Sequence, residues 1–176
     1  MKITGLLRPL EERDLPLLLA WRNHPSVRVA MFRRSEITPA EHAKWFASQQ
    51  HLSERFLLIY EEAGNPLGHV NFSQLQNPKM ADWGFYRAPE APNGSGLRMG
   101  RAALDWAFET LSLHKLCGQV IADNPRSLAF HRKLGFQLEG VLREQYHDGT
   151  HYFDVHCFGL LRHEWQHYNP EAANDD

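Results

Sequence analysis

Residues 93–100 run Asn-Gly-Ser-Gly-Leu-Arg-Met-Gly, directly after a strand-like stretch, Trp83-Gly84-Phe85-Tyr86-Arg87. Glycines let backbone amides come close to a phosphate, and a helix that starts there adds free N–H donors and a favourable dipole. Strand, glycine loop and helix in this order predict a pyrophosphate cradle; a plain strand-to-helix turn is the competing explanation. The spacing is neither the dinucleotide fingerprint nor the P-loop, because Gly-Lys-Ser/Thr is absent. Along the strand Asp82, Gly84 and Tyr86 alternate and so share one face, whereas Trp83 and Phe85 point to the other and suit a core.

Histidine is abundant, with eleven in the chain and five of them at 147, 151, 156, 163 and 167. His147 and His151 could face each other across a hairpin, and His163 and His167 have helical spacing. A metal site needs three or four converging ligands, so surface histidine is the expectation and no metal is expected. Cys117 and Cys157 each sit in a strand-like run and are expected to be buried free thiols.

The bounds are those of an ordinary globular protein. A length of 176 residues fits one domain with a sizeable core, and 43% hydrophobic with 23% charged residues is not a disordered composition. A net charge of −2 argues against general nucleic-acid binding. The start, Met1 to Leu6, lacks the apolar stretch of a secretory signal, and the apolar run around Leu15 to Trp21 is too short for a membrane span. A cytoplasmic location without nucleic-acid or membrane partners is therefore expected.

The elements that must hold these residues follow from periodicity. Residues 2–8 form a strand, and Glu11 to Trp21 a helix that stops before Pro25. Thr38, Pro39 and Glu41 spell a capping box, opening a helix to about Gln50. Arg55 to Tyr60, Leu67 to Leu75 and Lys79 to Arg87 are strands. After the glycine loop come a helix to about Leu111, a strand from Lys115 to Ala122 and a helix from Pro125 to Leu134. Phe136 to Tyr146 and Tyr152 to Leu161 pair around Asp148-Gly149, a two-residue hairpin signal. The order predicts an α/β (α+β) fold with a mixed sheet and helices on both faces, in a single domain over 1–165 followed by a polar tail over 166–176.

A second segment, Asn124-Pro125-Arg126-Ser127-Leu128-Ala129-Phe130-His131-Arg132-Lys133-Leu134-Gly135-Phe136, resembles the asparagine-to-lysine-x-glycine-phenylalanine helix of the Gcn5-related N-acetyltransferase superfamily. The glycine loop resembles that superfamily's coenzyme A motif at the expected distance upstream. The resemblance implies an acyl-CoA N-acyltransferase fold: a mostly antiparallel sheet of about seven strands, about four helices, and a splayed strand pair, Lys79–Arg87 and Lys115–Ala122. It implies acetyl-CoA as cosubstrate, its pantetheine arm between those strands against the backbone near Phe85 and Arg87. The pyrophosphate would lie on the amides of Gly94, Ser95, Gly96, Leu97, Arg98, Met99 and Gly100, with Asn124, Arg126 and Lys133 also cofactor-binding. Asn124 suits a helix cap equally well. The family often carries Arg or Gln where Ala91 stands; Arg98 compensates for it or is a solvated helix-start cation. Asp82 matches a family glutamate that takes the amine proton. His131 stands where the family usually has the tyrosine that protonates the departing thiolate, with Tyr86 as the substitute.

A third segment, Trp21-Arg22-Asn23-His24-Pro25 with Met31-Phe32 and Glu41-His42, resembles the N-terminal part of pseudaminic-acid biosynthesis N-acetyltransferases. This implies transfer to the 4-amino group of a UDP-linked 4-amino-4,6-dideoxy-N-acetyl-altrosamine, in nonulosonate biosynthesis and flagellin glycosylation. Arg22 and His24 would serve the diphosphate; Met31, Phe32 and Phe46 would wall the deoxysugar methyl. Arg22 also suits a helix C-terminal cation, and Trp21 suits core. Ribosomal-protein acetyltransferases share the tryptophan-arginine-asparagine signature, so N-terminal or other small-amine acetylation is the alternative. A catalytically silent coenzyme A-binding module is the second. The partner is a small nucleotide sugar, and a homodimer is compatible with the chain.

Overall fold

The computed structural model describes residues 5–75 and 77–168. Residues 2–4 of the expected first strand and 169–176 of the expected tail lie outside the described residues. Seven strands, β1 (Gly5–Pro9), β2 (Arg55–Glu62), β3 (Asn65–Gln74), β4 (Met80–Arg87), β5 (Lys115–Ile121), β6 (Gln137–His147) and β7 (Tyr152–Leu161), are hydrogen-bonded in the order β1-β2-β3-β4-β5-β7-β6. The helices are α1 (Leu15–Asn23), α2 (Pro25–Arg28), α3 (Pro39–Gln49), α4 (Ser95–Asp105), α5 (Pro125–Lys133) and α6 (Arg162–Gln166). β1–β2, β2–β3, β5–β7 and β6–β7 are antiparallel; β4–β5 is parallel and paired only over Met80–Asp82. The expected mostly antiparallel α/β sheet of seven strands is what forms. Among the described residues no helix is long and apolar enough to cross a membrane.

By Cα proximity the described residues of Met1–Gln74 and Trp83–Ala103 form one compact unit, and those of Leu75–Asp82 and Leu104–Asp176 another. The first has a core in which Leu18 and Trp21 of α1 and Phe46 of α3 meet Ile59 of β2, with Leu10, Ala88 and Ala91. These positions come at helical spacing from α1 and α3 and at alternate spacing from the strand. The second buries Leu116 and Ile121 of β5, Val155, Phe158 and Leu160 of β7, and His131, Leu134 and Phe136.

Three local expectations change. Pro25 does not merely end α1: His24 adopts the extended backbone that a following proline favours, and Pro25 opens α2 as its first residue. The β6–β7 hairpin has a four-residue loop, 148–151, because the Asp148 carboxylate accepts from the amides of Thr150 and His151 at 2.7 and 2.8 Å. The helix expected to run to Leu111 ends as α4 at Asp105 and continues as a π-helical turn over Trp106–Thr110. The capping box at Thr38 forms as expected, with Glu41 N–H donating to Thr38 Oγ1 and Thr38 N–H to Glu41.

One buried ion pair ties α4 to β2. Glu62, 7% exposed, accepts from Arg98 Nε at 2.7 Å and Nη2 at 3.0 Å, and from the Tyr60 hydroxyl at 2.7 Å. Arg98, ahead of the opposing cost of burial, holds the Glu62 carboxyl below its ordinary pKa of 4.5, so this contribution is present above pH 4.5 and fades as pH falls through the depressed folded value. Glu62→Gln keeps the shape but loses the charge. It should lower unfolding free energy by about 2 kcal/mol at neutral pH and reduce the loss of stability on acidification, measured by urea titration at several pH values.

Candidate functional site

The glycine loop opens α4. Gly94 has φ 81°, a left-handed conformation that glycine adopts freely, and its carbonyl accepts the Arg98 amide at 3.2 Å. The Ser95 amide turns back to the Pro92 carbonyl at 3.2 Å. The first turn therefore leaves Gly96 and Leu97 as its outward amide donors, while those of Arg98, Met99 and Gly100 belong to the helix. A Cβ placed on Gly96 would meet only Arg87 Cδ, at 3.8 Å, so the space in front of these amides is open and flanked by a cation. Arg87 also donates to the Pro92 carbonyl at 3.4 Å. Two amides, a helix N-terminus and an arginine are a suitable receptor for a pyrophosphate.

This refines the expected cradle. Glu62 engages Arg98 on Nε and Nη2, while its Nη1 stands 3.0 Å from where a Cβ on Gly94 would lie, so Arg98 is shared between the scaffold and the loop. Ala91 itself is buried in the core. Arg87 lies beside the loop at Gly96 as Arg98 does at Gly94. Met99 is also core, at 2% exposure.

Around the face of β4 that carries Tyr86, the first unit gathers a cationic cluster. Arg22 at the end of α1 donates from Nη2 to the Arg33 carbonyl at 2.6 Å, while its Nη1 is buried and has no hydrogen-bond partner among the described residues. Burial lowers the Arg22 pKa, Tyr86 opposes this, and the Arg33 and Arg28 charges add to the lowering. Burial likewise raises the Tyr86 phenol, against the pull of Arg22, so it stays protonated at neutral pH. His69 packs its ring 5.2 Å from that of Tyr86 and donates from Nδ1 to the Leu58 carbonyl at 2.9 Å. His42 stacks on Trp45 at 5.2 Å. Burial, reinforced by Arg22, lowers the His42 pKa; burial brings His69 down to about 4, so both rings are neutral at pH 7. Gly84 lies beneath the Asn71 amide, since a Cβ there would come within 2.8 Å of Asn71 Nδ2.

Neither His69 nor Asn71 was expected from the sequence. Both lie on β3, two positions apart, in a strand that periodicity located without saying which face would meet α1 and α3.

The remaining candidates are placed as follows. Phe46 is 7% exposed inside the core, so it packs rather than forming a substrate wall. His24 accepts the Ser26 amide on Nδ1 and caps α2. Met31 is half-buried and Phe32 exposed, both in the segment between α2 and α3. Phe85 is half-buried, its ring 4.6 Å from that of Trp83. In the second unit Asp82 is half-buried and burial raises its pKa. Asn124 caps α5, accepting the Ser127 amide at 3.1 Å; Arg126 and Lys133 are exposed on the same helix.

His131 is corrected. It is 2% exposed, stacked on Phe158 at 5.1 Å and edge-on to Phe136 at 5.0 Å. Its Nδ1 donates to the Ser127 carbonyl at 2.8 Å, and burial lowers its pKa. A neutral ring with that proton held by the backbone is a core residue and not an imidazolium acid. The histidines near the C-terminus do not converge: His147 packs on Tyr152 and His167 donates to the His163 carbonyl. Among the described residues no group of three or more His, Cys, Asp or Glu could hold a metal. Cys117 and Cys157 are free and half-buried rather than fully buried.

Residues 6–137 match the family model of the acetyltransferase (GNAT) domain. The chain belongs to the GNAT acetyltransferase family. It is an acetyl-CoA-dependent N-acetyltransferase, and acetyl-CoA is the cosubstrate that the loop at Gly96 suits. A spermidine N(1)-acetyltransferase of Escherichia coli (strain K12) is 27% identical over 169 residues, which is 93% of this chain and 90% of that protein. The acetyltransferase PseH of Campylobacter jejuni (strain 81-176) is 24% identical over 139 residues, 78% of this chain and 86% of its own length. The crystal structure of spermidine N-acetyltransferase from Vibrio cholerae, in complex with CoA and spermine, superposes with a TM-score of 0.86 at 25% identity. It covers 93% of this chain and 98% of its own.

Because the space before Gly96 is open, Gly96→Val should fold normally and fill it. Acetyl-CoA affinity should fall at least about tenfold, measured by calorimetry, with an unchanged melting temperature in the absence of ligand.

Proposed function

We propose that this GNAT enzyme acetylates the 4-amino group of a UDP-linked 4-amino-4,6-dideoxy-N-acetyl-altrosamine, the step that serves pseudaminic acid biosynthesis and flagellin glycosylation, within a single domain over 1–165. The observation that carries this reading is the buried, unpartnered Nη1 of Arg22. A guanidinium nitrogen held from water without a partner is costly, and an anionic acceptor that reaches it relieves that cost. The surroundings have the same sign: residues 20–42 contain four arginines and two glutamates, and both glutamates are occupied, Glu36 by Arg28 at 3.6 Å and Glu41 by Arg33 at 2.9 Å. A diphosphate suits this cluster, and Met31 and Phe32 offer apolar contact for a 6-deoxy carbon.

Polyamine acetylation is the second reading, favoured by the spermidine acetyltransferase relatives. A polycation would meet the Arg22 charge, which disfavours spermidine electrostatically.

For the chemistry, acetyl-CoA supplies the activated acetyl group. Asp82 is the base we assign, its raised pKa suiting a carboxylate that accepts an amine proton. Tyr86, kept protonated by burial, is the acid. The cofactor is held by the amides of Gly96 and Leu97 with Arg87, joined by Gly94, Ser95 and Phe85.

Steady-state rates with the UDP-4-amino sugar, spermidine and short peptides decide the acceptor. The sugar should have the highest kcat/KM, and Arg22→Ala should raise its KM by about ten- to a hundredfold, the loss of a charge-assisted hydrogen bond. Preferred use of spermidine or peptide, or a sugar KM indifferent to Arg22→Ala, overturns the reading. On the chemical step, Asp82→Asn should lower kcat about a hundredfold and remove the acidic limb of the pH–rate profile, because activity rises as Asp82 loses its proton. His131→Phe should leave kcat within about threefold of wild type, as expected for a group that transfers no proton.

A further inference from the structure

The chain between α2 and α3 has no regular secondary structure over residues 32–38, yet α1 grips it at two points. Asn23, the last residue of α1, donates from Nδ2 to the Ile37 carbonyl at 2.8 Å and accepts the Ile37 amide on Oδ1 at 2.9 Å. One side-chain amide thus satisfies both backbone groups of a residue fourteen positions away, as a paired strand would. Its neighbour Arg22 holds the Arg33 carbonyl at 2.6 Å with one nitrogen and leaves the other buried without a partner. Between these anchors, Arg34 Nε closes onto the Met31 carbonyl at 3.3 Å, and Arg33 pairs with Glu41. The gripped segment presents Val29 and Phe32 at 58% and 47% exposure, large apolar side chains on an otherwise charged stretch.

We infer that Asn23 is a positioning residue for acetyl transfer: it clamps residues 29–38 into a preformed wall on the acceptor side, and Arg22 couples that wall to the acceptor's anion. This rests on Arg22 being the acceptor's cation, as proposed above. Arg22 is a planar fork, so one nitrogen can hold the wall while the other binds the anion. Anion binding and ordering of the segment then favour each other, because linked equilibria are reciprocal. A loop already in its bound shape spares the acceptor the entropy of ordering it. Asn23 reaches no reacting atom in this scheme, so its loss should appear in acceptor KM rather than in the chemical step.

The experiment has two arms. In the first, Asn23→Ala should raise KM for the UDP-4-amino sugar about tenfold while kcat and KM for acetyl-CoA stay within about twofold. In the second, limited trypsin digestion should cleave after Arg33 and Arg34 at least about fivefold faster in Asn23→Ala than in wild type, at equal melting temperature. UDP as a probe should slow that cleavage in wild type and not in Arg22→Lys, which keeps the charge and loses the fork. Should Asn23→Ala fail to fold, Asn23→Asp, which keeps the acceptor and loses the donor, carries both arms. Faster cleavage with an unchanged acceptor KM overturns the positioning role, and raised KM without faster cleavage overturns the clamp. If wild type uses spermidine and not the sugar, the acceptor reading fails, and the clamp stands or falls on cleavage and on the KM for spermidine.

Discussion

The Glu62 carboxylate is shielded from water, yet it carries a charge because three donors converge on it: two nitrogens of Arg98 and the Tyr60 hydroxyl. Two of these residues lie on β2 and the third on the first turns of α4, so the ion pair fixes where α4 starts and which way its opening amides point. An ion pair of this kind contributes little net stability, since desolvation offsets most of the attraction. Its effect is geometric. It ties two nitrogens of Arg98 to the scaffold, holds the third beside Gly94, and leaves the space before Gly96 to the backbone and to Arg87.

A complementary logic governs the other end of the first unit. Arg22, His42, His69 and Tyr86 share a buried neighbourhood in which burial keeps the histidines neutral and the phenol protonated. The arginine alone stays charged, and the structure directs one of its nitrogens to the Arg33 carbonyl and none to a carboxylate. The nearby acids are already matched to other arginines on the surface. Such an arrangement separates the Arg22 charge from the charges that solubilise the helices.

Much of the fold was legible because its cues are local. The capping box at Thr38, the alternation along β4 and the asparagine before Pro125 depend on neighbours within four residues, and they formed where the sequence placed them. Errors fell where a local cue has two outcomes. Pro25 can stop one helix or begin the next, and the extended His24 backbone decided for both. Asp148-Gly149 can centre a two-residue turn, but the Asp148 side chain captured two amides beyond it and lengthened the loop.

By itself the sequence determined the family, the order of the strands and of the four longer helices, and the glycine loop, because these are written in short-range spacing and residue type. Only the tertiary structure decided what each polar side chain is occupied with. Arg98 looked available for a phosphate until Glu62, thirty-six residues earlier, claimed two of its nitrogens. His131 looked like an acid until Phe136 and Phe158 enclosed it, and Phe46 looked like a pocket wall until the core did. Burial and pairing arise from residues distant in the chain, and it is burial and pairing that set protonation and leave Arg22 Nη1 unmatched among the described residues.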